Sequence, residues 1–132
     1  MIPIFGWYLK KISSISINRN KTSKENLGFF DDIHKLINTS DRPLIIFPQG
    51  TRLLPKDRAS FKKGASRIYE ALKVSCQPIA INSGYTWPKN GLKKIGTTLT
   101  VSILEPIEPG LDKEIFLNKL QNKIYSELNS LN

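Results

Sequence analysis

Leu44-Ile45-Ile46-Phe47-Pro48-Gln49-Gly50-Thr51-Arg52 runs from a continuous apolar stretch into a turn of chemically special residues. Four apolar residues without alternation read as a strand covered on both faces, as in a sheet layered with helices. Pro48 has no N–H to offer a ladder, so pairing is expected to stop there. Gly50 permits a backbone conformation or a close ligand approach that a side chain would block. Thr51 offers a hydroxyl, and Arg52 a planar fork that matches two phosphate oxygens. The segment reads as a phosphate cradle beyond the carboxyl end of a strand, where ligands gather in α/β sheets. A solvated basic loop with a Gly-Thr turn is the alternative, because short glycine-containing motifs recur by chance.

The flanking sequence supplies the other elements. Upstream, Ser13 to Asn18 alternates through Ile15 and Ile17 and predicts a short strand, with Arg19 just past its end, where it can add a second cation if the two strands are neighbours. Thr22-x-x-Glu25 has capping-box spacing, and Leu27, Phe30, Ile33 and Ile37 follow at helical intervals, which predicts a helix over 23–38. Downstream, residues 48–62 show no apolar periodicity and carry Arg52, Lys56, Arg58 and Lys62, a long basic loop. A helix over 63–74 follows from Ala65, Ile68, Tyr69 and Leu72, a strand from residues 78–82 and another from the alternation of Leu99, Val101 and Ile103. Asp112 can cap a last helix striped by Leu117, Leu120, Ile124, Leu128 and Leu131. Strand, helix, strand, helix, strand, strand, helix is the order of an α/β fold, a mixed sheet layered with helices, in a single domain over 1–132.

Composition narrows the class. The 132 residues carry 20 Lys and Arg against 11 Asp and Glu, a formal charge of +9, with 39% hydrophobic and 23% charged residues. These values exclude a disordered tail, a collagen-like chain and a coiled coil. One cysteine, Cys76, excludes an intrachain disulfide framework and a cysteine-based zinc cage. No run approaches the roughly 20 apolar residues of a spanning helix, and the charge order of the N-terminus is the reverse of a secretory signal. Excess positive charge attracts phosphates on lipids, nucleic acids or small substrates alike. Trp7, Tyr8, Lys10 and Lys11 suit an anionic bilayer surface, unless Phe5 and Trp7 pack in the core. Tyr85 and Trp87 can line an acyl path or cover a sheet edge.

Several blocks, in order, resemble the phospholipid/glycerol acyltransferase family of the 1-acylglycerol-3-phosphate O-acyltransferase type. Pro3-Ile4-Phe5-Gly6-Trp7 resembles the lead into the family's second block, and Ser13 to Arg19 that block itself, with Ser13 where glycine is usual. Phe47 to Arg52 resembles the third block, Phe-Pro-Glu-Gly-Thr-Arg, followed by Phe61-Lys62-Lys63-Gly64-Ala65. Pro78-Ile79-Ala80-Ile81 resembles the fourth. The resemblance implies a glycerolipid-acyltransferase-like fold missing its N-terminal portion. It also implies transfer of a fatty acyl group from acyl-CoA or acyl carrier protein, without a further cofactor or metal, to a lysophosphatidate-type lipid substrate at the cytoplasmic face of a membrane. Arg19, Gln49, Gly50, Thr51 and Arg52 would contact the substrate phosphate.

Two departures bear on activity. Gln49 stands for the family's third-block Glu, keeping its shape and an acceptor oxygen but not its charge. The first block, His-x-x-x-x-Asp, has no counterpart: His34 is the single histidine, it follows the second block, and Thr39 stands five residues on. In the family that pair takes the proton from the acceptor hydroxyl and orients the imidazole. His34 reads instead as a helix histidine one turn from Asp31, and Cys76 as a small buried residue with no second histidine to activate it. The expectation is a chain with no catalytic residue of its own and little transferase activity alone. The alternative is a non-catalytic remnant or an anionic-lipid or phosphate-binding module. Nucleic acid is not expected as a partner, because the charge comes without an RNA-binding motif.

Overall fold

The computed structural model describes residues 7–8, 11–12, 27–51, 53, 56–88 and 90–131. The chain divides into two compact units, 1–44 and 45–132. The expected strand over 13–18, the Thr22-x-x-Glu25 box, Arg19 and Arg52 lie outside the described residues.

In the first unit, helix α1 (Leu27–Thr39) occupies most of the span its periodicity predicts. Ile33 is buried, while Phe30, Leu36 and Ile37 are half-buried on neighbouring turns. At its end the Thr39 hydroxyl donates back to the Lys35 carbonyl one turn earlier at 2.7 Å, a local bond from side chain to backbone. Nearer the N-terminus, the Ile12 N–H donates to the Tyr8 carbonyl at 3.1 Å, a helical turn. Trp7 is 59% exposed, so it does not pack in a core; the Lys11 ammonium sits 4.5 Å from its ring centroid.

The second unit packs two helices against a small sheet. Helix α2 (Lys63–Leu72) buries Ala65, Ser66, Ile68 and Tyr69. It stops at Lys73, whose φ of 52° is the left-handed conformation of a helix end and whose N–H donates to the Tyr69 carbonyl. Strand β1 (Ile79–Ile81) pairs antiparallel with β2 (Val101–Ile103), placing Ile79 opposite Ile103, Ala80 opposite Ser102 and Ile81 opposite Val101. The short helix α3 (Ser83–Thr86) opens the connection between them. Helix α4 (Lys113–Ser130) closes the chain, capped as expected by Asp112, whose carboxylate accepts from the Glu114 N–H at 2.8 Å.

The core of this unit is Phe61, Tyr69, Ala80, Ile107, Phe116, Leu120 and Ile124, with Leu117, Tyr125 and Leu128 packed at its margin. Tyr69 and Phe116 stack with centroids 3.7 Å apart. The Tyr69 hydroxyl donates to the Glu108 carbonyl and accepts from the Leu111 N–H at 3.2 Å, so a phenol sits in the core with its polar end satisfied. Among the described residues no buried side-chain polar atom lacks a partner.

The expected mixed sheet is corrected on one point: among the described residues the sheet has two strands, both antiparallel. Leu44–Phe47 forms no strand, and Ile45 and Phe47 are 75% and 78% exposed. A strand exists only with a hydrogen-bonding neighbour, and none of the described segments pairs with this run. The sheet face that carries Ile79, Ile81, Val101 and Ile103 is likewise exposed, whereas Ala80 on the other face is fully buried. No helix among the described residues is long and apolar enough to cross a membrane.

Candidate phosphate-binding site

The Phe47–Gly50 segment is a hydrogen-bonded turn in which the Gly50 N–H donates to the Phe47 carbonyl at 3.0 Å. Pro48 at the second position and glycine at the fourth are the residues such a turn favours. Gly50 has φ +68°, and a Cβ there would lie 3.3 Å from Cγ of Lys62. Glycine is therefore favoured by the backbone conformation and suits the side chain laid alongside it.

The turn is tied to helix α2 through Lys62, whose N–H donates to the Pro48 carbonyl at 2.8 Å. This lays the aliphatic stem of one lysine of the long basic loop alongside the glycine. The Gly50 and Thr51 side of the turn is exposed, and Gln49 is half-buried behind it.

Helix α4 holds the turn and the following loop from the other side. The Gln49 amide donates to the Tyr125 hydroxyl at 3.4 Å, and that hydroxyl donates to the Ala59 carbonyl. The Phe61 N–H donates to Gln121 Oε1 at 2.9 Å, and the Phe61 and Tyr125 rings meet edge to face at 5.2 Å. Arg58 donates to Asn129 Oδ1 at 2.7 Å with its guanidinium 5.1 Å from the Tyr125 ring. Gln121, Tyr125 and Asn129 recur every four residues, so one polar stripe of α4 receives Gln49, Ala59, Phe61 and Arg58. The sequence reading missed this stripe, although its spacing beside the Leu120, Ile124 and Leu128 apolar stripe was visible.

Of the expected phosphate contacts, Gln49, Gly50 and Thr51 are consecutive on this turn, while Arg19 and Arg52 fall outside the described residues. Lys62 joins them; Arg58, counted with the basic loop, is turned to α4. His34 is exposed on α1. Cys76 is half-buried, bonded through its own backbone to Ile107 in both directions, and burial pushes its thiol above the ordinary value of 9.0. A raised thiol is a poor nucleophile, which agrees with a packing role. Among the described residues no group of three His, Cys, Asp or Glu side chains is placed to hold a metal ion.

No solved structure matches the chain significantly. Curated relatives do. The chain is 32% identical over 108 residues to a 1-acyl-sn-glycerol-3-phosphate acyltransferase of Pseudomonas aeruginosa, covering 77% of this chain and 39% of that protein. It is 28% identical over 128 residues to a protein of the same name from Helicobacter pylori, covering 96% of this chain and 53% of that protein. A Chlamydomonas reinhardtii protein of that name is 32% identical over 81 residues, 61% of this chain and 24% of its own length. The chain thus spans about half or less of the relatives it matches. The sequence pattern of the acyltransferase family matches residues 1–82, more than half of the chain and inclusive of the Gly50 turn, and the chain belongs to that family.

Proposed function

We propose that this chain contributes the phosphate-holding part of a lysophosphatidate-acylating acyltransferase, an enzyme of phospholipid synthesis. The substrate is a 1-acylglycerol-3-phosphate lipid, the acyl donor is acyl-CoA or acyl carrier protein, and the protein lies peripherally at the cytoplasmic face of a membrane. Gln49, Gly50 and Thr51 contact the phosphate end with Lys62 beside Gly50, and Arg19 and Arg52 are assigned the same role from the family resemblance. The observation that carries this reading is the Gly50 turn, which exposes Thr51, keeps Lys62 at its side and is fixed by Gln49 to Tyr125. A phosphate monoester needs converging charge-assisted donors on a backbone that does not rearrange. The family match over residues 1–82 runs through both units, which supports reading them as parts of one acyltransferase domain.

In the reaction the free glycerol hydroxyl attacks the thioester carbonyl, its proton passes to a base and the thiol leaves. Exposed His34, with Thr39 five residues on, does not reproduce the family's His-x-x-x-x-Asp pair. The 132-residue chain alone is therefore expected to bind the acceptor but to turn over little, since loss of general-base assistance costs roughly 10²–10⁴ in rate. An assay of this chain with acyl-CoA and lysophosphatidate tests both halves. Acceptor binding without turnover is the expected result; robust turnover abolished by His34→Ala contradicts the reading of that histidine. The same histidine favours a second reading, a non-catalytic module that binds phosphate or anionic lipid. Its sign is binding that does not distinguish lysophosphatidate from other anionic phospholipids.

A further inference from the structure

We propose that the connection between β1 and β2, residues 82–100, is an anchor that enters an anionic lipid bilayer. The inference rests on the membrane location proposed above and assigns that contact to one loop. The loop's backbone is pinned at both ends and across its middle. The Asn82 N–H donates to the Thr100 carbonyl at 3.3 Å, and the Thr100 N–H donates to Asn82 Oδ1 at 2.7 Å. The Lys94 N–H donates to the Thr86 carbonyl at 2.9 Å, and the Thr97 and Thr86 hydroxyls bond at 3.0 Å.

On this held backbone Trp87 is 61% exposed, Leu92 91% and Ile95 100%. Single exposed apolar residues are ordinary, but three large ones between positions 87 and 95 of one internally bonded loop ask for an apolar partner. Its charge selects which one. From Ala71 to Leu104 the sequence has no Asp or Glu but four lysines, Lys73, Lys89, Lys93 and Lys94. The Lys93 ammonium lies 5.2 Å from the Trp87 ring centroid. Indole with lysine at the level of headgroup phosphates, and aliphatic side chains reaching the acyl boundary, is the composition an anionic interface rewards. Leu92 and Ile95 offer nothing to hydrogen-bond or stack on a nucleic acid.

The two tryptophans, Trp7 and Trp87, permit a site-resolved test on the full chain. Trp7→Phe leaves Trp87 as the sole indole; it is mixed with phosphatidylcholine vesicles with and without phosphatidylglycerol, some bearing brominated acyl chains. The expected result is a blue shift and bromine quenching of Trp87 that require phosphatidylglycerol. Leu92→Ser with Ile95→Ser should weaken partitioning roughly 10-fold or more, and Lys93→Ala with Lys94→Ala about 30-fold. Binding with Trp87 unquenched, and Trp7 quenched instead in Trp87→Phe, overturns the loop assignment and leaves the membrane location standing. No vesicle binding by the unsubstituted chain overturns both. If the Leu92 and Ile95 variant changes only the sedimenting mass, the patch joins copies of the chain and the proposal fails.

Discussion

Gly50→Ala should destabilise the second unit by about 1–2 kcal/mol, and most of that cost is conformational. At φ +68° the added Cβ crowds the following carbonyl, which costs an L-residue roughly 1–2 kcal/mol in the left-handed region. Contact with Lys62 adds little, because the 3.3 Å neighbour is Cγ of a flexible, exposed side chain that can swing away. The two causes separate in a small set of variants. Gly50→Asn, which tolerates the left-handed region, should recover a large part of the loss. Lys62→Ala in the Gly50→Ala background should recover almost none. Urea unfolding read by far-UV circular dichroism measures this: with a slope of about 1–3 kcal/mol/M, the midpoint should fall by roughly 0.5–1 M for Gly50→Ala. An unchanged midpoint, or full rescue by Lys62→Ala, would refute the conformational argument and with it the claim that the turn is set by its glycine.

Tyr69→Phe keeps the stack on Phe116 but leaves the Leu111 N–H and the Glu108 carbonyl without their shared hydroxyl; a loss of about 1–3 kcal/mol is expected in the same unfolding assay. Tyr125→Phe removes the hydroxyl between Gln49 and Ala59 while sparing the edge-to-face contact with Phe61. About 1 kcal/mol of stability should go, together with a measurable weakening of acceptor binding because Gln49 is released. The Cys76 thiol is held above its ordinary value of 9.0 by burial, so the folded state retains its proton longer than the unfolded chain does. Its contribution to stability is complete below pH 9 and fades as pH rises through the folded value; Cys76→Ala should remove that alkaline decline from midpoints measured across the range.

The elements that could be read from the sequence are those whose causes are local. Helix α4 announces itself through Asp112 and its apolar stripe, and α2 through Ala65, Ile68 and Tyr69, because cap and periodicity lie within the segment. The Gly50 turn was legible for the same reason: Pro48 and a glycine two residues on constrain the backbone wherever the chain goes. Leu44–Phe47 was misread because a strand is a property of two segments, and hydrophobicity alone does not supply the partner. Trp7 follows the same logic, since an apolar side chain is equally consistent with a core or an interface. The Gln121, Tyr125 and Asn129 stripe went unread because polar residues on a helix look solvated until tertiary structure brings a loop to them. Gln49 was recognised for its likeness to glutamate; its tether to Tyr125, 76 positions away, was beyond any local pattern.

The most direct test of the phosphate site is a comparison of two acceptors by calorimetric titration, 1-acylglycerol-3-phosphate and the matching 1-acylglycerol, with the unsubstituted chain and with Arg52→Ala. The phosphate should strengthen binding at least roughly tenfold, as one charge-assisted contact of about 1.5–3 kcal/mol requires, and Arg52→Ala should erase most of that difference. Equal affinity for the two lipids, or a preference untouched by Arg52→Ala, would contradict it.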